Sequence, residues 1–320
     1  MTRQRFILTV GIALSLFAVL NLLIAYGTRN SPEKRKVIDI RSAGPRDCIA
    51  FGNSLIEVAF LPDVFGRATA AIGRELTSIN AALWATYPVE HLLMLREALR
   101  INPHPRFIVY GFFDFQLTTD VKTKADDLFG NRSVGLFLES RIARRLYKMP
   151  IDSQIELGLL HQLPLFADRG SFYFRVGELR ESLSGLGKSG SAPGDPTRFA
   201  QLEANSIESF NRDCVQQVSE KWPLTEPVLE MIRAAKEHGA QLVVVDMPLS
   251  PEHIQRFYRG AGWPVYREYV RNLLQEQQAD FLDASEWLPE QSSYIDEVHL
   301  SRKGSEEFTR ELAGKLLAAN

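Results

Sequence analysis

The chain has 320 residues, 45% hydrophobic and 24% charged, enough for one large or two ordinary domains with a true core, which excludes disorder as its whole description. Its 37 Lys and Arg against 39 Asp and Glu leave no basic excess for a polyanion, so nucleic acid is not an expected partner. Two cysteines, Cys48 and Cys214, without a CxxC or a Cys/His cluster, build neither a zinc site nor a disulfide framework, and no metal or other cofactor is expected.

The first predicted element is the uncharged run from Phe6 to Gly27, which as a helix spans about 33 Å, enough to cross a bilayer. It sits directly after Met-Thr-Arg-Gln-Arg and just before Arg29 and Lys34-Arg35-Lys36, a setting that suits a membrane segment better than a buried core helix. Residues 1–28 are therefore expected to form an anchor. A cleaved signal peptide is the alternative, because Ala25-Tyr26-Gly27 fits a small-x-small cleavage site, although the run exceeds the roughly 7–15 apolar residues of a signal. Counting basic residues alone would put the C-terminal side inside the cell. A short tail opening into an apolar segment is nevertheless how export signals are built, and large domains translocate regardless of charge. The expectation is a single-pass protein of the inner or cytoplasmic membrane with its large domain outside, periplasmic or at the cell surface. Residues 29–45 read as a linker.

From Arg46 short apolar runs alternate with helical patterns, the signature of βα units and a parallel sheet. Strands are predicted at Asp47–Gly52, Leu76–Asn80, Arg106–Gly111, Gln241–Asp246 and Ala279–Asp283. Helices are predicted at Pro88–Leu99, Glu226–Gly239 and Gly304–Leu317, the last with Phe308, Leu312 and Leu316 on one face. Residues 46–320 thus read as one α/β domain. The stretch from about 115 to 223 is far longer than a usual connection and reads as an insertion. It holds predicted helices at Ser133–Tyr147 and Asp152–Gln162 and a Gly/Ser/Pro-rich segment, Ser182–Pro196. Such an insertion either covers the site at the strand ends or is a tolerated surface excursion.

The first strand ends in Phe51-Gly52-Asn53-Ser54-Leu55, which puts Ser54 at the entry to a helix, where open α/β sheets bind their ligands. Unpaired N–H groups and the helix dipole at that point favour a developing oxyanion, although a plain N-cap would also explain the serine. Near the other end, Asp296-Glu297-Val298-His299 precedes the final helix. The three-residue offset lets a carboxylate meet an imidazole, which fixes the tautomer that leaves Nε2 free to take a proton from a serine.

In these two blocks, Gly52-Asn53-Ser54-Leu55 and Asp296-x-x-His299-Leu300-Ser301 followed by Gly304, the chain resembles the SGNH, or GDSL-like, hydrolase and acyltransferase superfamily. The absence of Gly at Ile56 separates it from the G-x-S-x-G elbow of α/β-hydrolases. The resemblance implies a flavodoxin-like three-layer α/β/α sandwich on a mainly parallel five-stranded sheet, here preceded by one N-terminal transmembrane helix. It also implies ester chemistry by a Ser54-His299-Asp296 triad. Two blocks depart from the pattern. Asn80-Ala81-Ala82-Leu83-Trp84-Ala85 has no glycine, so the oxyanion hole is assigned to the N–H groups of Ser54 and Ala85. Phe113 stands where an Asn usually supplies a side-chain amide, which leaves a third donor unassigned. Asp114 reads as a structural residue at the strand end.

The membrane segment together with these departures resembles the membrane-anchored proteins of bacterial envelope-polymer acylation. That likeness implies an extracytoplasmic serine esterase or O-acyltransferase acting on acyl, chiefly acetyl, esters of an envelope glycan, with a membrane acyl-donor protein as a further partner. The alternative is a catalytically weak member that binds a glycan or a membrane partner. Of the remaining candidates, His91, His104, His161, His238 and His253 are dispersed without the neighbours a metal needs. Phe107, Tyr110, Phe112, Phe113 and Phe115 read as core and pocket wall.

Overall fold

A computed structural model of the chain describes residues 2–84, 86–119, 163–168 and 196–318, with isolated positions at 146, 171–172 and 176–177. Ala85, the helices predicted at Ser133–Tyr147 and Asp152–Gln162 apart from Leu146, and the segment Ser182–Pro196 before its last residue lie outside the described residues. The chain divides into two compact units, residues 1–37 with 122–189 and residues 38–121 with 190–320.

In the first unit α1 runs Arg3–Thr28, and it is the one helix among the described residues long and apolar enough to cross a membrane. Its leucines, isoleucines and phenylalanines stand exposed along most of its length. Asn21, Ile24 and Thr28 are buried on one face at helical spacing. The Asn21 side-chain oxygen accepts from the Leu165 N–H at 3.0 Å, and the Thr28 hydroxyl donates to Asp168 at 2.8 Å. The Lys34 ammonium meets the same carboxylate oxygen at 2.6 Å. Much of the stretch expected as a linker is helical: α2 occupies Pro32–Ala43, with proline at its start, Glu33 in its first turn and Arg41 in its last, all placed as the helix dipole favours.

The second unit is built on a five-stranded, wholly parallel sheet in the order β2-β1-β3-β4-β5. The strands are β1 Cys48–Gly52, β2 Ser78–Asn80, β3 Phe107–Phe112, β4 Gln241–Asp246 and β5 Asp280–Asp283. Every residue of β1 and β3 is buried, which explains why these strands read as unbroken apolar runs rather than alternating ones. All five lie within two residues of the sequence prediction.

Helices α3 (Ser54–Ala59), α4 (Pro62–Ala71) and α9 (Arg302–Ala318) pack together, and α5 (Pro88–Ile101) packs against α7 (Glu226–Glu237). Right-handed crossovers in this strand order place the two groups on opposite faces, giving the α/β/α arrangement. α6 (Pro196–Ser219) lies in the stretch expected as an insertion and packs on α8 (Gly262–Glu276). The helix expected to open at Ser54 is α3, too short to show a period of its own; α4 and α8 were not predicted, and Gly262 and Pro264 disguise the start of α8.

Candidate active site

β1 leaves the sheet through Gly52, whose φ of 139° is open to glycine but strained for other residues. A Cβ there would lie 2.5 Å from the Gly111 carbonyl oxygen and 2.8 Å from Ile56. The chain therefore turns tightly against β3 and presents the next two residues at the carboxyl end of the sheet. Asn53 is buried, and its Oδ1 accepts from the Leu55 N–H at 2.9 Å, capping α3. Ser54 opens that helix. Since α3 has only six residues its dipole is short, and the donors on hand are local N–H groups. The Ser54 N–H makes no hydrogen bond among the described residues.

The second half of the site is a closed loop before α9. Tyr294 and Leu300 form an antiparallel bridge, and the Ile295 N–H donates to the His299 carbonyl at 2.9 Å. Gly304 lets α9 abut the Ser293 carbonyl oxygen, which a Cβ would strike. Inside the loop Asp296 Oδ1 accepts from the N–H groups of Val298 at 2.9 Å and His299 at 2.7 Å. Its Oδ2 lies 2.9 Å from His299 Nδ1. Partial burial pulls the Asp296 carboxyl up, but the two N–H donors and the His299 ring outweigh it and hold the group below the usual carboxylate range. A carboxylate at Nδ1 places the proton there and turns the Nε2 lone pair outward. Nε2 lies 2.9 Å from Ser54 Oγ. Residues 245 positions apart in sequence thus form one hydrogen-bonded row, Asp296–His299–Ser54.

Three neighbours of this row carry no sequence signal. Gln116, in the turn after β3, accepts from the Asn53 side-chain N–H at 2.9 Å and the Phe113 backbone N–H at 3.2 Å. Glu297 meets Arg256 at 2.6 Å and lies 3.5 Å from the buried His253. His253 packs on Phe113, ring to ring at 6.0 Å, and burial lowers its pKa. The Ser250 N–H donates to the Glu297 carbonyl at 3.2 Å, tying the loop after β4 to the loop that carries His299. Apart from the three-residue span from Phe113 to Gln116, these contacts join distant positions with no spacing that a motif could register.

The other candidates take structural places. Asp114 has a φ of 48° and accepts from the Tyr258 hydroxyl, and burial pushes its carboxyl up to about 6. His91 lies buried between the Tyr110 hydroxyl and the Thr86 hydroxyl, each at 3.0 Å, and burial pushes its pKa down to about 3. Cys48 and Cys214 are free and buried. Among the described residues no group of three or more His, Cys, Asp or Glu is placed to hold a metal. A cavity of about 370 Å³ opens between the loops after β4 and β5, lined by Leu249, Pro251, Ile254, Arg259 and Leu288; neither Ser54 nor His299 lines it.

A protein-family model that carries no description matches residues 198–319, less than half of the chain. No curated protein matches. The chain is similar to a solved lipase/acylhydrolase from Enterococcus faecalis, at 13% identity over 84% of this chain and 96% of that one, with a TM-score of 0.38. It is also similar to a putative acylhydrolase from Bacteroides fragilis, at 10% identity over 89% and 96%, TM-score 0.40. A GDSL-like lipase from Bacteroides thetaiotaomicron gives 9% identity over 90% and 98%, TM-score 0.38. With every TM-score below 0.5, these likenesses carry no weight for mechanism.

Proposed function

We propose that the chain is a membrane-tethered serine esterase or O-acyltransferase whose catalytic domain lies outside the cytoplasm. The observation that carries this reading is the 2.9 Å contact between Ser54 Oγ and His299 Nε2, continued at 2.9 Å to Asp296. Ser54 Oγ attacks the carbonyl carbon of an acyl ester while its proton passes to His299 Nε2. The carbonyl electron pair moves onto oxygen, then returns as the carbon–oxygen bond to the leaving alcohol breaks, and that alcohol takes the proton from His299. Water or an acceptor hydroxyl then attacks the acyl-Ser54 ester by the reverse sequence. Asp296 holds the imidazole in its working tautomer throughout.

Hydrolysis and transfer share this intermediate and differ only in which hydroxyl reaches it. The tether and the long stretch between β3 and α7 favour a large, surface-bound partner, for which we propose an envelope glycan that gains or loses acetyl groups. The test is labelling of the full chain in membranes by a fluorophosphonate. Wild type is expected to label and Ser54→Ala to stay dark. A folded wild-type chain that takes no label would instead support a glycan-binding member without chemistry.

Topology has its own test. A reporter fused after residue 320 is expected to behave as exported, and the full chain to need detergent for extraction. A fusion protected from external protease in spheroplasts would reverse the orientation and make Lys34-Arg35-Lys36 the topological signal.

A further inference from the structure

We infer that Gln116 donates a hydrogen bond from its side-chain amide to the acyl oxygen as that oxygen becomes negative. This rests on Ser54 being the nucleophile. The orientation of the Gln116 amide follows from donors that cannot be exchanged. A backbone N–H can only donate, so the Leu55 N–H, 2.9 Å away, identifies the Asn53 atom facing it as oxygen. The other Asn53 atom is therefore the NH2 group, and it points at Gln116 across 2.9 Å. The Gln116 atom that receives it must be the oxygen. The Phe113 backbone N–H, 3.2 Å from the same atom, gives that assignment a second time. With its oxygen pinned by two donors, the amide has one direction left for its NH2 group.

That NH2 group has no partner among the described residues, and it is not among the buried unpaired atoms, so it reaches open space. It does so beside the residue that immediately precedes Ser54, at the carboxyl end of β1 and β3, where Gly52 and Gly111 sit opposite each other in register. The turn that holds Gln116 is itself fixed. The Gln116 N–H donates to the Phe113 carbonyl at 3.2 Å, and Asp114 takes positive φ with its carboxylate on the Tyr258 hydroxyl. An N–H donor uncommitted among the described residues, and tied through its own amide oxygen to the residue before the nucleophile, can stabilise charge that appears only in the transition state, because it needs little reorganisation when the oxyanion forms. The Ser54 N–H, at the start of α3, makes no hydrogen bond among the described residues and supplies a second donor.

Gln116→Glu separates this role from simple support of the loop. A carboxylate in that place still accepts from Asn53 and Phe113, so the turn keeps its ties, but its second oxygen replaces the donor with a negative charge. Gln116→Met removes both ties and donor. The measurement is the rate of fluorophosphonate labelling, with a thermal unfolding scan of each variant. Gln116→Glu is expected to unfold like wild type and to label at least about 10²-fold more slowly, the usual effect of losing one such donor. Gln116→Met is expected to label no faster than Gln116→Glu. If Gln116→Glu labels within about threefold of wild type, the inference is overturned, and a slow Gln116→Met would then mark the residue as a loop support. A wild-type chain that takes no label overturns the assignment of Ser54 itself, and this inference with it.

Discussion

His299→Ala is expected to abolish acyl-enzyme formation as fully as Ser54→Ala, by about 10⁶-fold, because the members of such a row act as one unit. With His299 gone, Ser54 Oγ has no base in hydrogen-bond contact among the described residues, since its partner at 2.9 Å is the lost Nε2. Asp296→Asn should cost about 10²–10⁴-fold. An amide can still accept from the Val298 and His299 N–H groups, so the loop survives, but its NH2 end would face Nδ1 and favour the wrong tautomer. Asp283→Asn is the control. That carboxylate lies against Arg267 and the N–H and hydroxyl of Ser285, with no contact to His299. Its replacement should leave the rate within a few-fold of wild type. The burst of p-nitrophenol in single turnover reads all four variants. An active Asp296→Asn beside a dead Asp283→Asn would move the orienting carboxylate to the end of β5.

How much of this was legible in the sequence follows from which interactions are local. The three central strands were, because a parallel sheet buried on both faces writes them as apolar runs such as Leu242–Val245; the edge strands β2 and β5, half-buried or exposed, were legible only as short runs alternating with helical patterns. Asp296 and His299 were, because the loop that joins them is four residues long. The meeting of His299 with Ser54 was legible only through chain order, a serine after the first strand and an imidazole before the last helix. Gln116 was not legible: its partners Asn53 and Phe113 are set by the register of β1 on β3 and by one positive-φ residue, Asp114. The helical state of Pro32–Ala43 was hidden for a different reason. Its mean hydropathy is low, and a polar helix carries little of the periodic signal that separates helix from linker.

Arg267→Met is expected to destabilise the chain in a pH-dependent way without touching any of the reacting groups. Arg267 reaches from α8 to the carboxyl ends of β4 and β5. It contacts Asp246 at 2.6 Å and also Asp283, and these two acids sit opposite each other in register. Asp246 is 3% exposed, so without the guanidinium its carboxyl takes a proton rather than stay charged beside a second acid, which costs about 1–2 kcal/mol at pH 8. The cost should depend on pH in a defined direction. Burial raises the Asp246 carboxyl to about 7; Arg267 pulls it down and Asp283 pushes it up. A folded-state pKa above the unfolded one means that this group's stabilisation is complete below the unfolded value and is lost as pH rises through the folded value. Without Arg267 the ionised form becomes costlier still. The deficit of Arg267→Met relative to wild type should therefore be small at pH 5, where Asp246 is protonated in both chains, and largest at pH 8. Urea unfolding at the two pH values measures it, and Asp246→Asn in the Arg267→Met background should remove most of the pH dependence. An equal deficit at both pH values would show that Arg267 acts through packing of its stem and not through Asp246. The two loops that leave these strand ends are joined by the Ser250–Glu297 bond and carry His253, Asp296 and His299. Loss of the Arg267 clamp at pH 8 should consequently slow acylation before the chain unfolds.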